Sequence, residues 1–371
     1  MKKVLFTATV DSHILCFHIP YLKYFKEKGF EVHVATNGEE NIPYCDKKIK
    51  IPFERSPYKI NNLIAIKQLK KVLKQEHYEI IHTHTPMGAV VTRLASKTAR
   101  KSGTRLIYTA HGFHFFKGAP FLYWCLFYPV EKYLSRYTDT LVLINKEDYQ
   151  LARKKFKKCR RIEYIPGIGI NEERFDFCLS KEEKRTFREE LGLKESDYVL
   201  IYPAELNKNK NQVLLIKTME KLVKKYPNIH LLLPGKDSYN GYYHSLVEKK
   251  KLNKNIHFLG FRNDIAKLTH ISNLAVASSK REGLPVNILE SMYVGLPIVA
   301  LDSRGTRDLI EDNQNGFIIK ENNSDMFYSK IEYLYQNPSV AKKMGKLSKQ
   351  KVKPYLLNTI LSEMKKIYED Q

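Results

Sequence analysis

The chain has 371 residues, with 63 Lys and Arg against 40 Asp and Glu and a formal net charge of +23. That length suits two α/β domains of roughly 150–200 residues each, and that charge asks for an anionic partner: a phosphorylated substrate, anionic lipid headgroups or nucleic acid. Five scattered cysteines with no C-x-x-C spacing suggest a reducing compartment and no structural zinc, and the longest uncharged apolar run, 121–130, is too short to cross a bilayer.

The first half alternates strand and helix. KVLFTATV (3–10) reads as a first strand rather than a signal peptide, because Asp11 ends its apolar run too early. EVHVAT (31–36), YEIIHTH (78–84), RLIYTAH (105–111), TLVLIN (140–145) and RIEYIP (161–166) are further strand candidates. Amphipathic stretches such as NNLIAIKQLKKVLKQE (61–76) lie between them. The alternation predicts a parallel sheet covered by helices, with functional residues just past the strand ends.

Those strand-end positions are Asp11-Ser12-His13, His84-Thr85-Pro86 and His111-Gly112-Phe113. His111 stands out, because Gly112 lets its imidazole face a cleft; the plainer alternative is a strand-end histidine bonded to backbone. His82 and His84 alternate onto one face of a strand, but no third ligand sits at a telling spacing, so no metal is expected. No D-x-D occurs, which argues against sugar transfer through a bound divalent metal.

The aromatic stretch HGFHFFKGAPFLYWCLFYPVEKYLSRY (111–137) holds the single Trp, Trp124. It reads equally as a core helix or as an interfacial surface. Residues 153–161 carry seven basic side chains in nine, a solvated helix end or a segment drawn to an anionic leaflet.

PGIGI (166–170) is a Gly-punctuated exit toward a second domain and does not complete a dinucleotide fingerprint. DYVLIYPAEL (197–206), IHLLLPG (229–235), NIHFLGF (255–261), LAVASS (274–279) and PIVALD (297–302) then predict a second parallel sheet. Between the last two runs lies KREGLPVNILESMYVGL, where Glu282 and Glu290 are separated by seven residues and Gly283-Leu284-Pro285 follows the first. Pro285 suits the first turn of a helix and Gly295 its end. Free N–H groups at 283–286 and the helix dipole make an anion site suited to a diphosphate. Glu290 is spaced to accept from both ribose hydroxyls, and Glu282, roughly 10 Å away by the helical rise, from a sugar beyond the diphosphate.

At these residues the chain resembles the retaining GT-B glycosyltransferases of family four, in the branch that builds capsular and exopolysaccharide repeat units; their signature is E-x7-E with Gly-Leu-Pro after the first Glu. The resemblance covers nearly the whole chain. It implies an α/β, GT-B fold of two Rossmann-like doubly wound domains facing across a cleft: residues 1–170 binding acceptor, 171–355 binding the nucleotide-sugar donor, and 356–371 a helix crossing back to the first domain. It sets His111 beside the reacting sugar, with Ser12, His13 and His114 on the acceptor side. Lys210 matches the family's diphosphate lysine. Glu205 stands where the family has a phosphate-binding Arg, so Lys208 is the expected substitute. Arg262 is placed against the nucleobase, and Arg304-Gly305-Thr306 near the donor sugar. Two further departures are Thr7–His13 in place of a Gly-Gly turn and Gly169-Ile170-Asn171 in place of Gly-Val-Asp.

The expected activity is metal-independent transfer of a hexose-type sugar from a UDP-sugar to a lipid-linked glycan precursor. No cofactor is expected beyond the donor substrate, and the expected location is cytoplasmic, at the inner face of the membrane. A sugar-nucleotide epimerase of the same architecture is the alternative enzyme. Binding of nucleic acid, suggested by charge alone, lacks any motif to support it.

Overall fold

In the computed structural model, which describes residues 1–370, the apolar runs pair into two parallel sheets. The chain divides into two units: Met1–Ile168 together with the segment from Ile360 onward, and Gly169–Thr359. The sequence-based boundaries lay after residues 170 and 355.

The first unit holds β1 (Lys3–Thr7), β2 (Glu31–Thr36), β3 (Lys47–Lys50), β4 (Ile80–Thr83), β5 (Arg105–Ala110), β6 (Thr140–Leu143) and β7 (Arg161–Tyr164). Their order is β3-β2-β1-β4-β5-β6-β7. Side chains alternate across a strand, so β1 serves two cores at once. Val4 and Phe6 join Ile107, Val142 and the helix Ile19–Glu27 on one face, while Leu5 joins Ile81, Leu106 and the helix Asn61–Gln75 on the other. The first strand is shorter than its sequence suggests: residues beyond Thr7 turn into the helix Asp11–Phe17. Asp11 is buried and held by Thr36, by Lys48 Nζ at 2.5 Å and by the Glu40 N–H at 2.9 Å, which makes it a structural residue.

The closing helix, Leu357–Glu369, buries Ile360, Met364, Ile367 and Tyr368 in the core of the first unit. These positions share one face at helical spacing, and each contributes about 1.5–3 kcal/mol of transfer free energy. Arg105 fastens the helix end through the carbonyls of Ile367 and Asp370.

The second unit holds β8 (Tyr198–Ile201), β9 (Ile229–Pro234), β10 (Ile256–Gly260), β11 (Leu274–Ala277), β12 (Ile298–Leu301) and β13 (Gly316–Ile319), in the order β10-β9-β8-β11-β12-β13. Strand order reverses between β1 and β4 in one sheet and between β8 and β11 in the other. In open parallel sheets of this kind, ligands bind outside the carboxyl ends of the strands at the point where the order reverses.

Candidate active site

In the second unit, the loop after β8 and the loop after β11 are bonded to each other along their length. Lys280 N donates to the Asn209 carbonyl at 2.9 Å, and Asn209 Nδ2 to the Arg281 carbonyl at 3.0 Å. Ser278 Oγ and Tyr202 Oη both donate to the Lys210 carbonyl, at 2.8 and 3.2 Å. Asn207 Oδ1 accepts from the N–H groups of Asn209 and Lys210, each at 3.0 Å. With the backbone fixed, Lys210 Nζ meets Glu282 Oε1 at 2.5 Å.

The helix carrying Glu290 runs Val286–Val294. Pro285 has ψ of 108°, so it is the N-cap and not the first helical residue, correcting the sequence reading. No side chain caps this end, and the N–H groups of Gly283, Leu284, Val286 and Asn287 find no partner among the described residues. Asn287 Nδ2 donates to the Pro203 carbonyl at 3.0 Å and ties the helix start to the end of β8. The far end closes at Gly295, whose φ of 90° is the left-handed conformation glycine accepts freely.

Glu290 lies one turn in, with 14% of its side chain exposed and Arg174 Nη1 4.0 Å away. Burial raises its carboxyl to about 7, with Arg174 opposing. Arg174 belongs to the short turn Glu172–Arg174, a position that sequence spacing does not flag.

The other donor-side expectations divide. Lys208 is exposed, with its ammonium 5.6 Å from the Tyr239 ring centroid, and Glu205 accepts from Asn207 Nδ2 at 3.1 Å. Arg262 is held by the carboxylate two residues on: its Nε and Nη2 donate to Asp264 at 2.7 and 2.5 Å, so the guanidinium fork is already engaged. Gly305 is the second residue of the helix Arg304–Leu309 and touches the Gly-Leu-Pro turn; a Cβ there would lie 2.6 Å from Pro285 Cδ and 2.7 Å from the Gly283 carbonyl oxygen and Leu284 Cα.

In the first unit, His111 follows β5 and its Nε2 lies 3.2 Å from His13 Nε2 and 3.5 Å from His84 Nδ1. Three histidines expected at separate strand ends thus meet, and His18, absent from the sequence reading, stacks on His84 with ring centroids 3.7 Å apart. Burial keeps all four imidazoles neutral: His13 falls to about 4, aided by Arg55, and His18, His84 and His111 lie well below the usual histidine range. His82 lies beside His84, with ring centroids 4.1 Å apart, but its two nitrogens are taken by Tyr368 Oη at 2.7 Å and Thr109 Oγ1 at 2.8 Å. Ser12 is exposed beside His13. His114 stacks on Phe127, centroids 4.6 Å apart, on the aromatic helix Phe121–Leu134.

One face of that helix packs into the core and the other is exposed. Phe113 and Phe115, just before it, are buried, and Trp124, Phe127 and Tyr128 pack against them. Phe121, Leu122, Leu126, Val130 and Tyr133 are exposed, Phe121 by 82% and Leu122 by 61%. Among the described residues no helix is long and apolar enough to cross a membrane.

Two doubly wound units, one carrying a Lys–Glu pair and a second Glu around a Gly-Leu-Pro helix start, define a GT-B glycosyltransferase. The family described as glycosyl transferases group 1 matches residues 183–351, and that described as glycosyl transferase 4-like matches residues 3–145. The chain belongs to these group 1, family-4-like GT-B enzymes: it is 46% identical over 367 residues to a Bacillus subtilis (strain 168) protein that carries the name glycosyltransferase EpsD, covering 99% of this chain and 96% of that one. It is 26% identical over 299 residues to an Escherichia coli UDP-Gal:α-D-GlcNAc-diphosphoundecaprenol α-1,3-galactosyltransferase, covering 78% of this chain and 75% of that one. The crystal structure of Anabaena Alr3699/HepE in complex with UDP and glucose shares the fold, with a TM-score of 0.82 at 18% identity over 100% of both chains.

Proposed function

We propose that the protein moves a hexose-type sugar from a UDP-sugar to a lipid-linked glycan precursor in capsular or exopolysaccharide assembly, with retention at the anomeric carbon. The observation that carries this reading is the grouping of Lys210, Glu282 and Glu290 with the uncapped start of the helix Val286–Val294. A diphosphate needs a cation and free N–H groups; a ribose and a hexose each need a carboxylate acceptor. The donor and acceptor in the name of the Escherichia coli relative support this substrate class.

In the reaction, the bond from the anomeric carbon to the β-phosphate oxygen breaks, and the acceptor oxygen bonds to that carbon from the same face. The departing phosphate takes the acceptor's proton. Lys210 and the helix N–H groups stabilise the charge growing on the diphosphate, a large share of the barrier lowering in such sites. No metal is assigned to the diphosphate. Glu282 holds the transferred sugar, Glu290 the ribose, and His111 lies beside the reacting sugar, with Ser12, His13 and His114 toward the acceptor.

The same reading puts the protein at the cytoplasmic face of the membrane, where a lipid-linked acceptor resides. Its support is the exposed apolar stripe of the helix Phe121–Leu134, together with exposed Arg153, Lys154, Lys155, Lys157, Lys158 and Arg160.

The test is incubation of the pure protein with a panel of UDP-sugars and a polyprenyl-diphosphate saccharide. The expected product is a lipid one sugar longer with the donor's anomeric configuration, accompanied by free UDP. Isomerisation of a UDP-sugar without acceptor would replace this reading with the epimerase, and release of no UDP from any pair would overturn it.

A further inference from the structure

We propose that His13, His18, His84 and His111 form a binding site in the first unit for one divalent transition-metal ion of the zinc class. The ligands come from three places in the fold: the helix Asp11–Phe17 and the residue after it, the end of β4, and the end of β5. One nitrogen from each ring can be chosen so that all four lie within 4.8 Å of one another. Zinc binds imidazole at ~2.0–2.1 Å, which sets nitrogen–nitrogen edges of roughly 3.3–3.4 Å in a tetrahedron. The His13–His111 and His111–His84 separations of 3.2 and 3.5 Å already match that edge. Only part of the set must contract.

The second observation is unmet hydrogen-bonding capacity. Both ring nitrogens of His18 and Nε2 of His84 are buried without a partner, and these rings are 2% and 0% exposed. A buried polar atom left unpaired is costly, and a ring that served only to fill space would be better apolar. His82, two residues before His84, shows the contrast, since both of its nitrogens are satisfied. The backbone beside the site is strained as well: Thr85, directly after His84, has φ of 62° with its hydroxyl bonded to the Thr9 N–H at 3.0 Å. Strain of that kind in a non-glycine residue gathers where a side chain must be held in place.

The chemistry of the set decides the ion. Four neutral imidazoles without a carboxylate suit zinc, nickel, copper or cobalt and reject magnesium, calcium and manganese, which prefer oxygen. Asp11, the nearby acid, is engaged by Lys48, Thr36 and Glu40. His13 and His111 are partly exposed, which gives the ion a way in.

The experiment strips the full-length protein with a chelator and titrates it with Co²⁺, then Zn²⁺, without any sugar substrate, so that its result is independent of the transfer reading. Expected are the visible absorption of tetrahedral Co²⁺ saturating at one ion per chain, displacement by Zn²⁺, and a Tm raised by ~5 °C at hundredfold excess over Kd; Mg²⁺ gives neither. His18→Gln and His84→Gln each weaken Co²⁺ binding at least tenfold, whereas His257→Gln in the second unit leaves it unchanged. Wild-type protein with no tetrahedral Co²⁺ spectrum and no Zn²⁺-dependent shift in Tm overturns the site without recourse to any variant. Undiminished binding by folded His18→Gln overturns it equally.

Discussion

Lys210 Nζ and Glu282 Oε1 are 2.5 Å apart, bridging loops 72 residues distant in sequence, with 23% and 15% of the two side chains exposed. The cation proposed for the diphosphate and the carboxylate proposed for the sugar are therefore each other's partners. A donor that recruits Lys210 must take it from Glu282, and the freed carboxylate then becomes available to sugar hydroxyls. Glu282→Gln keeps the shape and releases the lysine, so UDP should bind it as well as wild type or better, while transfer falls. Glu290→Gln should instead weaken UDP by about 1.5–3 kcal/mol, the worth of a charge-assisted hydrogen bond. Titration calorimetry of UDP against both variants, with transfer rates beside it, makes the comparison. Equal weakening by the two substitutions would remove the division of roles along the helix.

The raised carboxyl of Glu290 makes donor binding dependent on pH. Its value of about 7 against 4.5 in a free chain means that the folded protein holds the proton more tightly. Its contribution to stability is therefore fully present below about pH 4.5 and lost as pH rises through about 7, up to about 3 kcal/mol. Arg174 is the facing charge that resists this. Ribose hydroxyls donate to the carboxylate, so UDP binding should expel a proton. Wild-type affinity should then drop about tenfold per unit below about pH 7, beyond the change seen in Glu290→Gln, which controls for the titration of UDP itself. Calorimetry in two buffers of different ionisation enthalpy measures the proton; identical pH profiles for the two proteins would rule the coupling out.

Strand runs rich in Val, Ile and Leu were legible because burial on both faces of a parallel sheet leaves little room for other residues. β3 and β13 were not: both lie at a sheet edge, KKIK has no apolar run and GFII is only four residues long, and their pairings with β2 and β12 rest on backbone bonds. Glu282 and Glu290 were singled out by their spacing around a helix start, and Lys210 by the family resemblance and its place before the helix Gln212–Lys225. Their partners were not: Arg174 reaches Glu290 from a turn more than a hundred residues away, and Asp264 takes Arg262 from two residues on. The four-histidine cluster escaped for the same reason, because ligand spacing in sequence reveals a site only when one element supplies most of it.

Gly305 is a position where backbone meets backbone. An added Cβ would fall against the Gly283 carbonyl oxygen, Leu284 Cα and Pro285 Cδ, none of which can swing aside as a long side chain would. Gly305→Ala should displace the turn that carries the free N–H groups. The expected cost is about 1–3 kcal/mol of stability, the usual scale of overpacking, together with weaker UDP binding. Urea unfolding and UDP titration measure the two effects. Unchanged UDP affinity in the folded variant would show that the Gly-Leu-Pro turn does not meet the donor.

Membrane attachment should separate into an apolar and an electrostatic part. Leu122 and Leu126 lie on the exposed stripe of the helix Phe121–Leu134, and burying each in a bilayer interface is worth about 1.5–3 kcal/mol at most. The bases at 153–160 add about 1 kcal/mol each near an anionic surface, screened over ~8–10 Å at ordinary ionic strength. Sedimentation with anionic vesicles should therefore show binding that salt weakens without abolishing. Leu122→Ser with Leu126→Ser should remove the salt-resistant remainder, and Lys154→Glu with Lys157→Glu the salt-sensitive part. Neither pair touches the buried aromatic core, so both proteins should stay folded. Equal wild-type binding to neutral and anionic vesicles would eliminate the electrostatic part, and wild-type binding by the serine variant would return the helix face to solvent.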